Sequence, residues 1–368
     1  MNREIYRFAA RLRDLIGNPQ SAISNPQFAD LALELFALQY GQNPVYRNIC
    51  AARNLTPPVV GHWTQIPAVP AAAFKELSLT SLAPDESTTI FHSSGTTGQK
   101  SSRHFHSAES LALYEASLWS WFEQHLLQAS GLKFQVIALT PPPELAPHSS
   151  LVHMFETVRQ KLGAAKSAFV GKLAVDGSWA LDLEATLDAL SPAPLRAPRA
   201  ALLLGTAFTF VHLLDYLVEQ DFRLELPAGS CVIETGGYKN RARALPKSEL
   251  HALITERLGV PGENIICEYG MSELSSQAYD TAKNSPASVH YPRVFHFPPW
   301  ARVQIISPES GREVAEVETG VIRIFDLANV FSVAAIQTED LGIRRGDGFE
   351  LVGRAQLAEP RGCSLMAA

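Results

Sequence analysis

Residues 91–102 read FHSSGTTGQKSS. Ser93, Ser94, Thr96 and Thr97 supply hydroxyls, and Lys100 adds one fixed positive charge. Gly95 and Gly98 allow a tight turn and a close backbone approach to a ligand. Successive turn N–H groups form an anion-binding nest, so such a loop can wrap a polyphosphate. It is not a Walker A loop, because no Gly-Lys-Ser/Thr triplet opens a helix here. By composition alone it is a solvated Ser/Thr/Gly surface loop. The order Ser-Ser-Gly-Thr-Thr-Gly-x-Lys is much rarer than that composition.

Around this loop the chain has 368 residues, enough for one large domain or two smaller ones. Hydrophobic residues make up 46% and charged residues 18%, ordinary values for a soluble globular protein. A formal net charge of −6 gives no basic footprint for nucleic acid. No apolar run reaches transmembrane length, and the N-terminus lacks the apolar core of a signal peptide. Cys50, Cys231, Cys267 and Cys363 lie far apart without a CxxC pair. Neither a disulfide framework nor a zinc site is suggested, and a reducing cytoplasm fits best.

Upstream of the loop, residues 1–90 read as helical and irregular. Ile5, Phe8, Leu12 and Leu15 share one face of an amphipathic helix. Ser24-Asn25-Pro26 caps a helix running to Gly41. Residues 56–82 carry Pro57, Pro58, Pro67 and Pro70 and should be extended and loop-like. Downstream, apolar runs at 134–139, 166–170, 200–204, 231–234 and 265–268 alternate with helical stretches at 149–162, 181–190, 209–219 and 246–258. That alternation implies a parallel sheet flanked by helices. After Ser276, β-type runs at 303–306, 321–325 and 333–337 predict a smaller, mainly β subdomain. The expected division is 1–90 as the N-terminal part of the core, 91–276 as an α/β core, and 277–368 as a small β subdomain with a tail.

Ligands of open α/β sheets sit beyond the carboxyl ends of the strands. That rule selects ETGGYKNR from Glu234 and EYGMSE from Glu268. In the second, Tyr269 can stack on a base, and Glu273 offers a hard oxygen for Mg²⁺. For Glu268 an ordinary exposed strand-end carboxylate is an equal reading. Near the C-terminus, TEDLG at 338–342 precedes Gly353-Arg354. The Asp340 carboxylate is a natural acceptor for both ribose hydroxyls, and Arg354 can hold ribose or phosphate oxygens. His104 and His106 form an HxH pair without a third metal ligand at sensible spacing. Thr206 and Phe208 follow the 200–204 strand, which makes them pocket candidates by position alone.

In this order, these motifs resemble the adenylate-forming superfamily (acyl-CoA synthetases, luciferases, adenylation domains). The resemblance implies that residues 93–98 and Lys100 bind ATP phosphates. It also implies that Gly236, Gly237 and Tyr238 line the purine and the start of the acyl pocket. Ser272, after Tyr269 and Gly270, contacts the α-phosphate, and Glu273 binds magnesium. His148 lies where the superfamily often places a gate at the acyl entry. Asp340 and Arg354 take the ribose places, with Glu339 where Gly is common. Gln356 stands at the usual hinge Asp or Lys, and no mobile C-terminal domain follows.

The ending RGCSL at 361–365, with PPWARVQIISPESG, the DLAN turn at 326–329 and TEDLG, is similar to the acyl-protein synthetase family, also called long-chain-fatty-acid–luciferin-component ligase. That resemblance covers roughly residues 60–368. It implies activation of a fatty acid by ATP and Mg²⁺, and transfer to Cys363. An acyl-protein reductase partner would follow. Arg361 could lower the Cys363 pKa, whereas Cys50, Cys231 and Cys267 read as inert core residues. Two other readings remain open: a ligase using coenzyme A or a carrier protein, and a non-catalytic nucleotide- or acyl-binding subunit.

Overall fold

The structure is a computed structural model. It describes residues 3–18, 23–93, 100–126, 134–163, 167–175, 177–191, 199–236, 245–280 and 292–355. The chain divides into two compact units, each discontinuous in sequence. The first comprises Met1–Ser120, Ser272–Ser276 and Val294–Ala368; the second comprises Trp121–Met271 and Gln277–Arg293.

In the first unit the N-terminal residues form the helices Arg3–Ile16, Asn25–Gln42 and Pro44–Ala52. Ile5, Phe8, Leu12 and Ile16 are buried, whereas Leu15 is only half-buried. The apolar stripe therefore turns one residue later than the sequence spacing suggests. Ser24 caps the second helix by accepting from Gln27 N, with Pro26 in the first turn. Asn43 caps the third in the same way, through Tyr46 N. Residues 56–82 are mostly loop, with the short helix Ala73–Glu76 and the strand Val69–Pro70.

This unit also holds an antiparallel meander of Ala301–Ile306, Thr319–Asp326, Ala335–Arg345 and Gly348–Arg354, and Val294–His296 pairs antiparallel with the last of these. Val69–Pro70 pairs in parallel with the Ala335–Arg345 strand. The Gln39 side chain donates to Asn329 O and Val330 O and accepts from Ala334 N. These contacts tie residues of the first ninety to residues beyond 294, which the three-part sequence division keeps apart. Thr89–His92 and Arg103–His106 form a separate hairpin around the glycine loop.

The second unit carries the expected parallel sheet. Phe134–Ala138, Ala200–Thr206, Cys231–Thr235 and Ile265–Tyr269 pair in parallel, with Ala168–Phe169 on one edge. Ala278–Asp280 pairs antiparallel with Ile265–Tyr269, so the sheet is mixed. The helices Ala207–Glu219 and Lys247–Leu258 cover one face. Phe210, Leu214, Leu250 and Ile254 pack there in one buried cluster with Leu203, Val232 and Ile265. Full burial of each such side chain contributes roughly 1.5–3 kcal/mol.

Two stretches differ from the sequence reading. Residues 179–181 form a strand paired with Gly171–Leu173, and the following helix starts at Leu183. Its cap is Asp182, which accepts from Ala185 N and so ends the hairpin and begins the helix. The helix Ala108–Leu126 was not foreseen either. It buries Tyr114, Leu118, Phe122 and Leu126 along one stripe.

Candidate functional site

The hairpin of the first unit pairs Phe91 with His104 and so presents residues 93–102 at one end. Ser93 N donates to Ser102 O over 3.3 Å, and Ser102 N donates to Ser93 Oγ over 3.0 Å. Both ends of the loop are thereby closed. Ser94, Gly95, Thr96, Thr97 and Gly98 lie outside the described residues. The Lys100 ammonium sits 2.8 Å from Glu76 Oε2, with side chains 54% and 68% exposed. An ion pair that open to water is worth little, so Lys100 can turn to another anion at small cost.

The second motif meets this hairpin although it lies far along the chain. Ser272 Oγ donates to His92 O over 3.3 Å. His104 Nδ1 lies 2.8 Å from Ser272 O and, facing a carbonyl, must carry the proton. Burial holds the His104 pKa down to about 4, so the ring is neutral at ordinary pH. His106 Nδ1 is bound to Ser110 Oγ at 2.8 Å.

Behind Ser272 the segment is stapled in place. Asp326 accepts from Ser275 N at 2.9 Å, Ser276 Oγ at 2.7 Å and Ala328 N at 3.0 Å. Burial outweighs these bonds and raises its carboxyl to about 6. Asn329 Nδ2 donates to Glu273 O over 2.8 Å. The Glu273 carboxyl is buried, and desolvation raises its pKa against the weaker pull of Lys75 and Arg354. His104 belongs to the HxH pair, and Asp326 and Asn329 begin and end the DLAN turn at 326–329; the sequence reading gave none of the three a part in the site.

Asp340 and Arg354 face each other across the last hairpin, with Arg354 Nε 3.5 Å from Asp340 Oδ1. The Asp340 side chain is largely covered, and Arg354 is 76% exposed. Asp340 N–H donates to Thr338 Oγ1, and Ala355 N donates to Glu339 O. Glu339 therefore serves the ladder through its backbone. Ser93, Lys100, Ser272, Glu273, Asp340 and Arg354 thus all belong to the first unit. Cys363 lies outside the described residues.

In the second unit Thr235 and Glu268 end neighbouring strands and sit directly opposite each other. Thr235 Oγ1 donates to Glu268 Oε2. Burial lifts the Glu268 carboxyl to about 7. The sequence reading allowed an exposed carboxylate there, yet only 7% of Glu268 is exposed. Tyr269 is buried as well. Gly236 adopts a left-handed φ of 69°, which turns the chain after the strand. Gly237 and Tyr238 lie outside the described residues. Thr206 is a helix N-cap, accepting from Thr209 N at 3.2 Å, and Phe208 packs on the His212 ring at 4.7 Å. His148 is exposed, one residue before the Ser149 cap of the helix Ser150–Leu162.

Cys267 departs from the apolar setting read for it. Its thiol donates to Glu234 Oε1 at 2.9 Å, and His251 Nε2 lies 3.4 Å from the same oxygen. Lys247 Nζ is 2.6 Å from Glu234 Oε2. Burial opposes ionisation of Glu234, but Lys247 and His251 outweigh it and hold the carboxyl at about 2. Glu234, His251 and Cys267 have the spacing of metal ligands, yet the Lys247 ammonium already supplies the cation. Burial and the Glu234 charge push the Cys267 thiol well up, which leaves it unreactive.

The long-chain-fatty-acid–luciferin-component ligase of Aliivibrio fischeri is 24% identical over 361 residues, covering 92% of this chain and 87% of that protein. The ligase of the same name from Vibrio harveyi is 22% identical over 345 residues, covering 90% and 84%. Among solved structures, ATP-bound MatB from Rhodopseudomonas palustris matches with a TM-score of 0.50 at 17% identity. That match covers 85% of this chain but only 58% of MatB. A 2-hydroxyisobutyryl-CoA ligase in complex with 2-HIB-AMP and CoA matches with a TM-score of 0.64 at 13% identity, covering 90% and 69%. At such identities the structural likeness concerns the fold, which is the α/β fold of adenylate-forming enzymes. The family model described as Acyl-protein synthetase, LuxE, matches residues 17–368. The chain belongs to the LuxE acyl-protein synthetase family.

Proposed function

We propose that the protein activates a carboxylic acid of the fatty class with ATP and passes the acyl group to its own Cys363. The observation that carries this reading is the meeting of two distant motifs. Ser272 Oγ reaches the end of the strand that leads into the glycine loop, and His104 holds the Ser272 backbone from the returning strand. A hydroxyl, a phosphate-binding loop and the Lys100 charge then serve one polyphosphate.

Chemically, a carboxylate resists thiol attack until its oxygen becomes a good leaving group. The acid's carboxylate oxygen attacks the α-phosphorus of ATP, and pyrophosphate leaves. Lys100 and the Ser272 hydroxyl stabilise the charge that builds on the phosphate oxygens. Asp340 accepts from the ribose hydroxyls, and Arg354 leaves its exposed pairing to hold ribose or phosphate oxygens. Next, the Cys363 thiolate attacks the acyl carbon, the acyl–oxygen bond breaks, and AMP departs. An acyl-protein reductase then accepts the acyl group.

Glu273 fits a magnesium ligand: its carboxyl is buried, and desolvation disfavours its bare charge. A bound Mg²⁺ would neutralise phosphate charge there. Among the described residues no helix is long and apolar enough to cross a membrane. A cytoplasmic setting would keep Cys363 reduced.

Intact-protein mass spectrometry after incubation with MgATP and a panel of acids tests the reading. The expected result is a gain of one acyl group on the C-terminal peptide, removed by hydroxylamine and absent in Cys363→Ala. Pyrophosphate release without that gain would point to an external thiol. No release with any acid would overturn the reading.

A further inference from the structure

A cavity of about 310 Å³ in the first unit has no part in the motif roles. Arg53, just past the helix Pro44–Ala52, and Arg323, on the strand Thr319–Asp326, both line it. Arg53 Nη1 donates to Ala68 O over 3.0 Å. Arg323 Nε donates over 3.0 Å to Oε1 of Gln337, its partner across the ladder. Among the described residues neither guanidinium makes another hydrogen bond, and no carboxylate lies within 4.0 Å of either. Burial, and after it the Arg53 charge, lower the Arg323 pKa against the weaker pull of Glu313. Two cations thus share one cavity wall without a counter-charge beside them.

The acceptors around them are already engaged. Ala68 O takes Arg53, Gln337 Oε1 takes Arg323, and Pro67 O accepts from Tyr46 Oη over 2.8 Å. Gln65 Oε1 accepts from Gly61 N and His62 N, which leaves its amide N–H groups as the unspent side. Each guanidinium carries five N–H donors and spends one here. The wall therefore offers donors in excess together with two positive charges. Forked donors of this kind grip phosphate and carboxylate oxygens through paired hydrogen bonds. Charge decides between the two: a carboxylate balances one guanidinium, whereas a phosphate dianion balances both. Leu55, Ile66 and Pro70 add apolar wall beside the donors.

We propose that Arg53, Arg323 and Gln65 form a binding site for a phosphate dianion, free or carried as a phosphomonoester on a small organic group. None of the residues assigned to ATP lines this cavity, so the site is additional to the nucleotide site. It does not depend on the acid-activating function proposed above, and no bond is made or broken in it. Arg323 is aimed in advance, because Gln337 holds it while donating its own amide to Ile322 O over 3.0 Å. Arg53 is exposed, which gives an ion a way in from solvent.

Isothermal titration calorimetry at fixed ionic strength tests the proposal, with inorganic phosphate and a short alkyl phosphate as probes. AMP is kept saturating so that the proposed nucleotide site does not compete. Phosphate should bind the wild-type protein, and Arg53→Gln and Arg323→Gln should each weaken it roughly tenfold or more. Arg53→Lys, which keeps the charge but loses the fork, should fall between. Arg53 is exposed, so its variants keep the test readable if Arg323→Gln does not fold. Arg312→Gln removes an exposed charge outside the cavity and should bind phosphate as the wild type does. Tighter binding of the alkyl phosphate than of inorganic phosphate would support a phosphomonoester as the ligand, and equal binding would support free phosphate. No binding of millimolar phosphate to the wild-type protein would overturn the proposal. Equal affinity in wild type and Arg53→Gln would also overturn it, as would an equal loss in Arg312→Gln.

Discussion

His104 Nδ1 donates to the backbone oxygen of Ser272 over 2.8 Å, joining residues 168 positions apart. A buried ring that is neutral at working pH fixes the turn bearing the proposed α-phosphate hydroxyl. Losing it removes a buried hydrogen bond and leaves a carbonyl unpaired, which costs roughly 1–3 kcal/mol. His104→Ala should therefore lower the urea midpoint. It should also slow pyrophosphate release, by more than the loss of folded protein accounts for. Unaltered turnover per folded molecule would remove His104 from the positioning of Ser272.

His104 and Asp326 should drive stability in opposite directions with pH. The His104 pKa is about 4 when folded against 6.5 unperturbed, so the unfolded chain binds the extra proton between those values. Stability from this group is complete above about 6.5 and lost as pH falls towards 4, up to about 3 kcal/mol. The Asp326 carboxyl stands at about 6 against 3.8, so there the folded state binds the extra proton. Its contribution is present below 3.8 and is lost as pH rises through 6. Asp326→Asn should make stability rise more steeply from pH 4 to 6, and His104→Gln should make it rise less steeply. Denaturant titrations at pH 4.5, 5.5 and 7 would check both signs.

Removing Lys247 strands a buried charge. Glu234 is fully buried and relies on the Lys247 ammonium. Lys247→Met should destabilise by roughly 3–5 kcal/mol. Adding Glu234→Gln should recover much of that loss, because the double variant no longer buries a lone carboxylate. A double variant no more stable than the single would show that Lys247 acts mainly through packing.

Glu273→Gln keeps the shape and the Asn329 contact to the backbone but removes the anionic oxygen. If this carboxyl holds the metal, apparent Mg²⁺ affinity should fall roughly 10–100-fold. Pyrophosphate release measured against magnesium concentration would show it. Equal magnesium dependence in both proteins would move the metal to other ligands.

Much of the parallel sheet was readable because its strands are short apolar runs bounded by turns, as at Cys231–Thr235 and Ile265–Tyr269. The motif residues were readable for another reason, since their order along the chain is itself unusual. What the sequence hid were pairings made by folding. Nothing local in SELSS at 272–276 says that Ser275 and Ser276 will bond Asp326, fifty residues on. Glu234 and Cys267 looked like ordinary parts of apolar runs, and only the register that sets them side by side exposes the Lys247–His251 network. The helix Ala108–Leu126 was hidden differently. Its every-fourth apolar pattern is present, but Ser, Glu and Trp dilute it.

The last hairpin ends on the pair Asp340 and Arg354, with Ala355 N still tied to Glu339 O. Residue 363 comes eight positions later. Whatever path those residues take, a fully extended chain reaches at most about 28 Å. The thiol is thus leashed to the hairpin that carries Asp340, the carboxylate proposed for the ribose. Its local concentration is millimolar or higher without any partner being recruited. Lengthening the leash by a Gly-Ser insertion after Ala355 should dilute the thiol and slow acyl transfer, while acid activation proceeds at its former rate.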